Sequence, residues 1–167
     1  MVGIPWRVAF ALQAAGWYLR SDIIWAKPNA MPESVRDRPT KAHEYIFLLA
    51  HPDSGGKYYY DHKAVSEPTS DLPSTRRRNK RTLWNISTKP YKGAHFAVWP
   101  EDLVEPMIKA GSREGDVVLD TFSGSGTTGS VAVSLRRRYI GLDQNADYLE
   151  LAKGRMAKQT NEMKSLF

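Results

Sequence analysis

Three glycines spaced G-x-G-x-x-G, at 124, 126 and 129, stand directly behind the apolar run 117–119, with Asp120 before them and Asp143 seventeen residues past Gly126. Such a turn between a strand and a helix binds ligands through its backbone: Gly124 permits the tight turn, Gly126 a close approach to a ligand, and the helix start at Thr127 and Thr128 offers unpaired N–H groups. An acid at the end of the following strand accepts hydrogen bonds from ribose hydroxyls, so Asp143 points to an adenosine-bearing ligand. Asp120 selects among such ligands. A carboxylate at the mouth of the turn repels a pyrophosphate and suits an ammonium group, which favours S-adenosylmethionine over a dinucleotide. Phe122 offers a flat face for cation–π attraction or, equally, a side chain for core packing.

The elements that position these residues follow from periodicity. The second half reads as a helix opened by Pro100 and closed by Gly111, the strand DVVLD, the glycine turn, the helix TTGSVAVSLRRR, the strand YIGLD, and the helix NADYLELAKGRMAK with Asn145 as N-cap. Strand, helix, strand, helix implies a parallel pair with a right-handed crossover, and such sheets bind ligands at the carboxyl ends of their strands. In the first half, Pro5 suits a first helical turn, Trp6, Phe10 and Ala14 share a face, and Gly16 caps the end. YLRSDIIWAKP and HEYIFLLA read as buried strands, NAMPESVRDRPTKA as an ordered surface loop, KYYYDH as a third strand or edge ribbon, and SEPTSDLPSTRRRNKR as an excursion.

At 167 residues, 41% hydrophobic, the chain suffices for one domain with an ordinary core. No apolar stretch approaches the ~18 residues of a spanning helix, Arg7 interrupts the N-terminal apolar run, and no cleavable leader is visible, so a soluble, cytoplasmic protein without a membrane partner is expected. The chain has no cysteine, and its four histidines are scattered, so no metal centre is expected. Net charge is +6, and residues 72–100 hold seven basic residues and no acid. The block STRRRNKR has the footprint of contact with nucleic-acid phosphates, though a solvated basic loop has the same composition.

VVLDTFSGSGTTG followed by RRYIGLDQNADYLELAKGRM resembles the cofactor segment of the DNA amino-methyltransferases, which methylate adenine N6 or cytosine N4. GIPWRVAFALQAAGWYLRSDIIWAKPNAMPESVRDRPTKAHEYIFLLA and KPYKGAHFAVWPEDLVEPMI are similar to the same family, in the order of the group whose catalytic motif precedes its cofactor motif. The resemblance implies a Rossmann-like, S-adenosylmethionine-dependent α/β fold forming a single domain over 1–167, with residues 61–94 an inserted basic region for target recognition. It places Asp120, Phe122, Gly124 and Gly126 on the methionine side of the cofactor, Asp143 on the ribose, Thr127 and Thr128 at the helix start, and His95, Phe96 and Ala97 in a second cofactor segment. Thr121 stands where the family usually has proline. The implied partner is double-stranded DNA, gripped through its phosphates by Arg76, Arg77, Arg78, Lys80 and Arg81, with Arg36, Arg38 and Lys41 on the DNA side of the earlier loop. For that loop a salt-bridged surface role is equally in view, as is a core or rim role for Trp25 and Lys27, which the family could turn toward base or cofactor.

The family's catalytic Asp/Asn/Ser-Pro-Pro-aromatic loop, which holds the flipped base, has no counterpart, since no Pro-Pro pair occurs. Catalytic residues are therefore unassigned. In the family the strand bearing that loop lies between the glycine-turn strand and the SDIIWAK strand, so the expected sheet is truncated at its centre. Three outcomes are open: the flanking strands close up, a homodimer or second chain supplies the strand, or the chain is part of a longer product, the last being favoured. The function expected is methyl transfer from S-adenosylmethionine to a base amine in a specific DNA sequence. The alternatives are a catalytically inactive DNA- and cofactor-binding module and a nicotinamide-dependent oxidoreductase.

Overall fold

The computed structural model describes residues 2–69, 76–89 and 98–164. In chain order these form α1 (Ile4–Ala14), β1 (Tyr18–Ala26), β2 (His43–Ala50), a 3-10 turn (Pro52–Ser54), β3 (Glu67–Pro68), β4 (Arg77–Arg78), β5 (Leu83–Asn85), α2 (Glu101–Gly111), β6 (Val117–Asp120), α3 (Thr127–Ser134), β7 (Arg138–Gly141) and α4 (Ala146–Lys164). They fall into two compact units, residues 1–59 with 80–88, and residues 60–79 with 89–167.

In the first unit a three-stranded sheet has the order β2-β1-β5, antiparallel between β1 and β2 and parallel between β1 and β5. Pro5 lies in the first turn of α1, and Gly16, at φ 93°, closes the helix: its N–H reaches Gln13 O at 3.0 Å and that of Trp17 reaches Leu12 O at 3.0 Å. Trp6 meets the rings of Tyr45 and Phe47 edge-on at 5.6 and 5.0 Å, which seats the helix on the aromatic face of β2. The buried Trp25 donates its indole N–H to Ile86 O at 2.8 Å, and the Asn29 amide pairs both ways with the Thr88 backbone at 2.9 Å. Strand β5 was not expected. It is three residues long, and a period of two has no room to show in so short a run. β1 alternates exposed and half-buried residues from Tyr18 to Ile23 and is half-buried or buried from Ile24 to Ala26, instead of being buried throughout. KYYYDH forms no strand; it runs as irregular chain, with Arg20 over the Tyr58 ring at 5.4 Å. Ring-rich composition favours a strand only where a neighbour offers a ladder.

In the second unit β6 and β7 are parallel, in register from Val117 opposite Arg138 to Asp120 opposite Gly141. Among the described residues, Leu103, Val104, Ile108 and Ala110 of α2, Val131 and Ala132 of α3, and Ala152 of α4 are the buried apolar side chains of these helices. The α3 helix ends at Ser134, short of the arginine triplet, because Arg136 takes the left-handed position at φ 60°. The Arg136 and Arg137 N–H groups then return to Val133 O at 2.9 Å and Ala132 O at 2.8 Å, a closing turn for which glycine is the usual residue. Asn145 caps α4 by accepting the Asp147 N–H at 2.9 Å. β3 and β4 make a short antiparallel ribbon in the basic excursion.

The tightest packing lies where the glycine turn meets α4. A Cβ on Gly126 would stand 2.6 Å from Ala152 Cβ and 2.8 Å from its Cα, and Gly126 has φ 79°. Gly126→Ala is therefore expected to destabilise the protein by about 2–4 kcal/mol, from overpacking and left-handed strain together. Adding Ala152→Gly should restore only part of that, because the clash with the α4 backbone and the strain remain. Urea denaturation of the two variants checks this, and wild-type stability in the single variant would contradict it.

Candidate functional site: a cofactor cleft at the glycine turn

The parallel register brings Asp120 and Asp143 to the carboxyl ends of neighbouring strands. Ladder bonds continue beyond the paired residues: Leu142 N–H to Asp120 O at 2.9 Å and Ser123 N–H to Leu142 O at 2.9 Å. Beside these ends lies a cleft of about 480 Å³, within the ~300–1,000 Å³ usual for small-molecule sites. Asp120, Phe122, Gly124, Thr127 and Thr128 line it, as do Val98, Trp99, Ser123, Ser125 and Tyr148.

One Asp120 oxygen accepts the Phe122 N–H at 3.0 Å, which fixes the carboxylate at the cleft. Phe122 is 88% exposed, so its ring is a surface of the cleft and not a core side chain. Gly124 bends at φ 51°, where a Cβ would meet the Phe122 carbonyl oxygen at 4.0 Å, and it lines the cleft. Gly126 does not line it; the close approach its spacing signals is to Ala152 of α4. Asp143 does not line the cleft either. Its two oxygens accept the Gly124 N–H at 2.8 Å and the Asn145 N–H at 2.9 Å, so it braces the turn and the start of α4 together. A carboxylate has about four acceptor positions, which leaves capacity for a ribose hydroxyl beside these bonds.

Two side chains hold the turn from behind. The half-buried Tyr139 donates its phenol to Ser123 Oγ at 2.9 Å. Burial pushes its pKa up, the Asp120 and Asp143 charges add to that, and the Ser123 bond opposes it, so the phenol stays protonated and able to donate. Arg155 of α4 reaches Ser125 O and Oγ, each at 3.3 Å, and Thr127 Oγ1 at 3.1 Å, and pairs with Glu101 at 3.0 Å. Neither residue was singled out in the sequence, nor were Trp99, Ser123, Ser125 and Tyr148 as cleft walls. Trp99 had a signal, since it lies two residues past the expected cofactor segment. His95, Phe96 and Ala97 themselves lie outside the described residues.

The basic residues divide by role. Arg77 bonds to Ser66 through its Nε, at 2.8 Å from the hydroxyl, and through a second contact to the carbonyl, while Arg78 pairs with Glu67 at 3.0 Å. Both stitch the β3–β4 ribbon. Arg76 is exposed, and Lys80 lies over the Trp84 ring at 5.0 Å. In the earlier loop Arg38 pairs with Glu33 and Asp37 at 3.4 Å each, and Arg36 and Lys41 are exposed. Lys27 pairs with Glu44 and stands 4.4 Å from the Trp25 ring centre.

A family model for DNA methylases, of the N6/N4 methyltransferase kind, matches residues 2–154. The type II methyltransferase M.SmaI of Serratia marcescens is 55% identical over 159 residues, covering 95% of this chain and 53% of that protein. The type II methyltransferase M.Cfr9I of Citrobacter freundii is 53% identical over 156 residues, 93% of this chain and 50% of that one. The chain thus spans about half the length of the curated relatives it matches. Among solved structures, the M1.HpyAVI–SAM complex superposes with a TM-score of 0.71 at 25% identity, covering 93% of this chain and 71% of that one. With an α/β fold shared with DNA methyltransferases and a family match over most of its length, the chain belongs to the N6/N4 DNA methylase family.

Proposed function

We propose that this chain carries the S-adenosylmethionine site and part of the DNA contact surface of a DNA amino-methyltransferase acting on adenine N6 or cytosine N4 within a specific sequence. The cleft carries the reading: a fixed carboxylate, exposed aromatic rings and a helix start meet at the carboxyl ends of two parallel strands, in a chain of this family. The donor supplies a methyl carbon made electrophilic by its sulfonium. Asp120 suits the ammonium of its amino-acid end, Phe122 and Trp99 offer flat faces to the adenine or sulfonium, and Asp143 is the acceptor nearest in role to the ribose hydroxyls. Gly124, Thr127 and Thr128 form the turn side of this pocket, and His95, Phe96 and Ala97 are proposed as its second wall. An exocyclic amine is a weak nucleophile, so alignment and exclusion of water are what such a site contributes, without a covalent intermediate. No sequence feature assigns the group that orients the amine.

A second observation bears on how that group is supplied. Among the described residues β6 and β7 form a two-stranded sheet, and Val117, Leu119, Ile140 and Leu142 on one face are between 45% and 59% exposed. An apolar sheet face with open edges favours a further polypeptide segment beside it, from a longer product, a second chain or a homodimer. A chain that binds cofactor and DNA without transferring methyl is the competing reading. In either case the setting proposed is the cytoplasm, and no helix among the described residues is long and apolar enough to cross a membrane.

S-adenosylhomocysteine should bind by calorimetry, and Asp120→Ala should weaken S-adenosylmethionine by about tenfold or more, near 1.4 kcal/mol. Tighter binding of a nicotinamide dinucleotide would instead support an oxidoreductase. Duplex DNA should bind with an affinity that falls steeply with salt, and the combined Arg76→Ala and Lys80→Ala change should lower the slope of log K against log[salt] by about 1–2. An unchanged slope removes these two residues from the DNA surface. Radiolabelled methyl incorporation into DNA by the purified chain alone would defeat the inactive-module reading. Incorporation only after adding the remaining half of a relative such as M.SmaI would support complementation.

A further inference from the structure

Arg155 occupies an unusual place for a cation. Its side chain is 16% exposed and lies at the first turn of α3, where the helix dipole is positive and favours anions. Helix stability alone gives no reason for it. Its guanidinium can only donate, so the hydroxyl oxygens of Ser125 and Thr127 accept from it, at 3.3 and 3.1 Å. A hydroxyl that accepts from a cation is polarised toward donating its own proton, and charge-assisted chains of this sort strengthen one another. Both residues line the cleft. The other end of the guanidinium is held by Glu101 at 3.0 Å, in the first turn of α2 and two residues past Trp99 on the cleft wall. One side chain outside the cleft thus ties the turn to the start of α2, which follows directly on the Val98 and Trp99 wall.

We infer that Arg155 is a positioning residue for the cofactor: it fixes the Ser125 and Thr127 hydroxyls as donors toward the carboxylate at the amino-acid end of S-adenosylmethionine. This rests on the cofactor reading above, in which Asp120 takes the ammonium of that same end. An amino-acid group carries both charges, and Asp120 cannot serve the carboxylate, which needs donors beside the N–H groups of the helix start. Ser125 and Thr127, with the Arg155 charge behind them, complete the complement. Arg155→Lys keeps the charge but cannot span the same oxygens of Ser125, Thr127 and Glu101, so it separates hydrogen-bond geometry from simple electrostatics.

The test pairs two readouts on Arg155→Met, Arg155→Lys and Thr127→Val. Amide exchange at residues 123–128 of the unliganded protein should quicken in Arg155→Met, with strands β6 and β7 unchanged. Calorimetry should show S-adenosylhomocysteine bound about tenfold more weakly by Arg155→Met, with Arg155→Lys between it and wild type, and the Arg155→Met/Thr127→Val pair less than additive. A decarboxylated analogue should lose this sensitivity. Wild-type exchange and wild-type affinity in Arg155→Met would overturn the inference and leave the cofactor reading intact. Failure of the unmodified chain to bind S-adenosylhomocysteine would overturn the cofactor reading and the donor role with it, while exchange still decides the bracing role. If Arg155→Met does not fold, Arg155→Lys carries both measurements, and wild-type values there overturn the geometric claim.

Discussion

The seating of the glycine turn on α4 is the interaction on which the second unit depends. With no side chain at Gly126, the backbone packs directly against Ala152, and any larger residue there would have to displace the helix. The same face of α4 continues to Met156, whose sulfur would meet a Cβ on Gly129 at 2.8 Å, and to Tyr148, which lines the cleft. A cleft whose floor is a turn has little intrinsic rigidity. Here the turn borrows it from a helix that begins after the next strand, so site and fold cannot be separated.

Two carboxylates at neighbouring strand ends have different parts because their surroundings differ. Asp120 stands at the cleft with one oxygen held by a nearby N–H. Asp143 divides its oxygens between two backbone donors and draws the turn toward the start of α4. The ring of Tyr139, between β7 and the turn, completes the support through Ser123. Charge therefore faces the cleft in one case and organises the backbone in the other, although both residues follow an apolar strand in the same way.

The basic excursion shows how composition overstates a surface. Five charges in six residues read as one electropositive strip, yet Arg77 and Arg78 are engaged by Ser66 and Glu67 across a two-residue ribbon. Their partners lie about ten residues upstream, in a segment whose own composition suggests only a loop. Arg76 is exposed, and Lys80 lies over the Trp84 ring.

The sequence alone determined the parallel strand pair, the helices α2, α3 and α4 with the cap at Asn145, the closing glycine of α1 at Gly16, and the glycine turn with an acid on either side. These are local matters, set by side-chain period, by φ preference and by short-range hydrogen bonds, and even the strand pair with its turn and two acids lies within residues 117–143. Only the tertiary structure decided that Gly126 faces a helix, that Arg155 stands behind the turn, that Trp99 and Tyr148 wall the cleft, that a three-residue strand joins β1, and that KYYYDH joins no sheet. Those outcomes depend on which distant surfaces meet. A one-residue signal, whether a missing Cβ or a single guanidinium, carries no mark in the chain of the partner thirty or fifty residues away that gives it meaning.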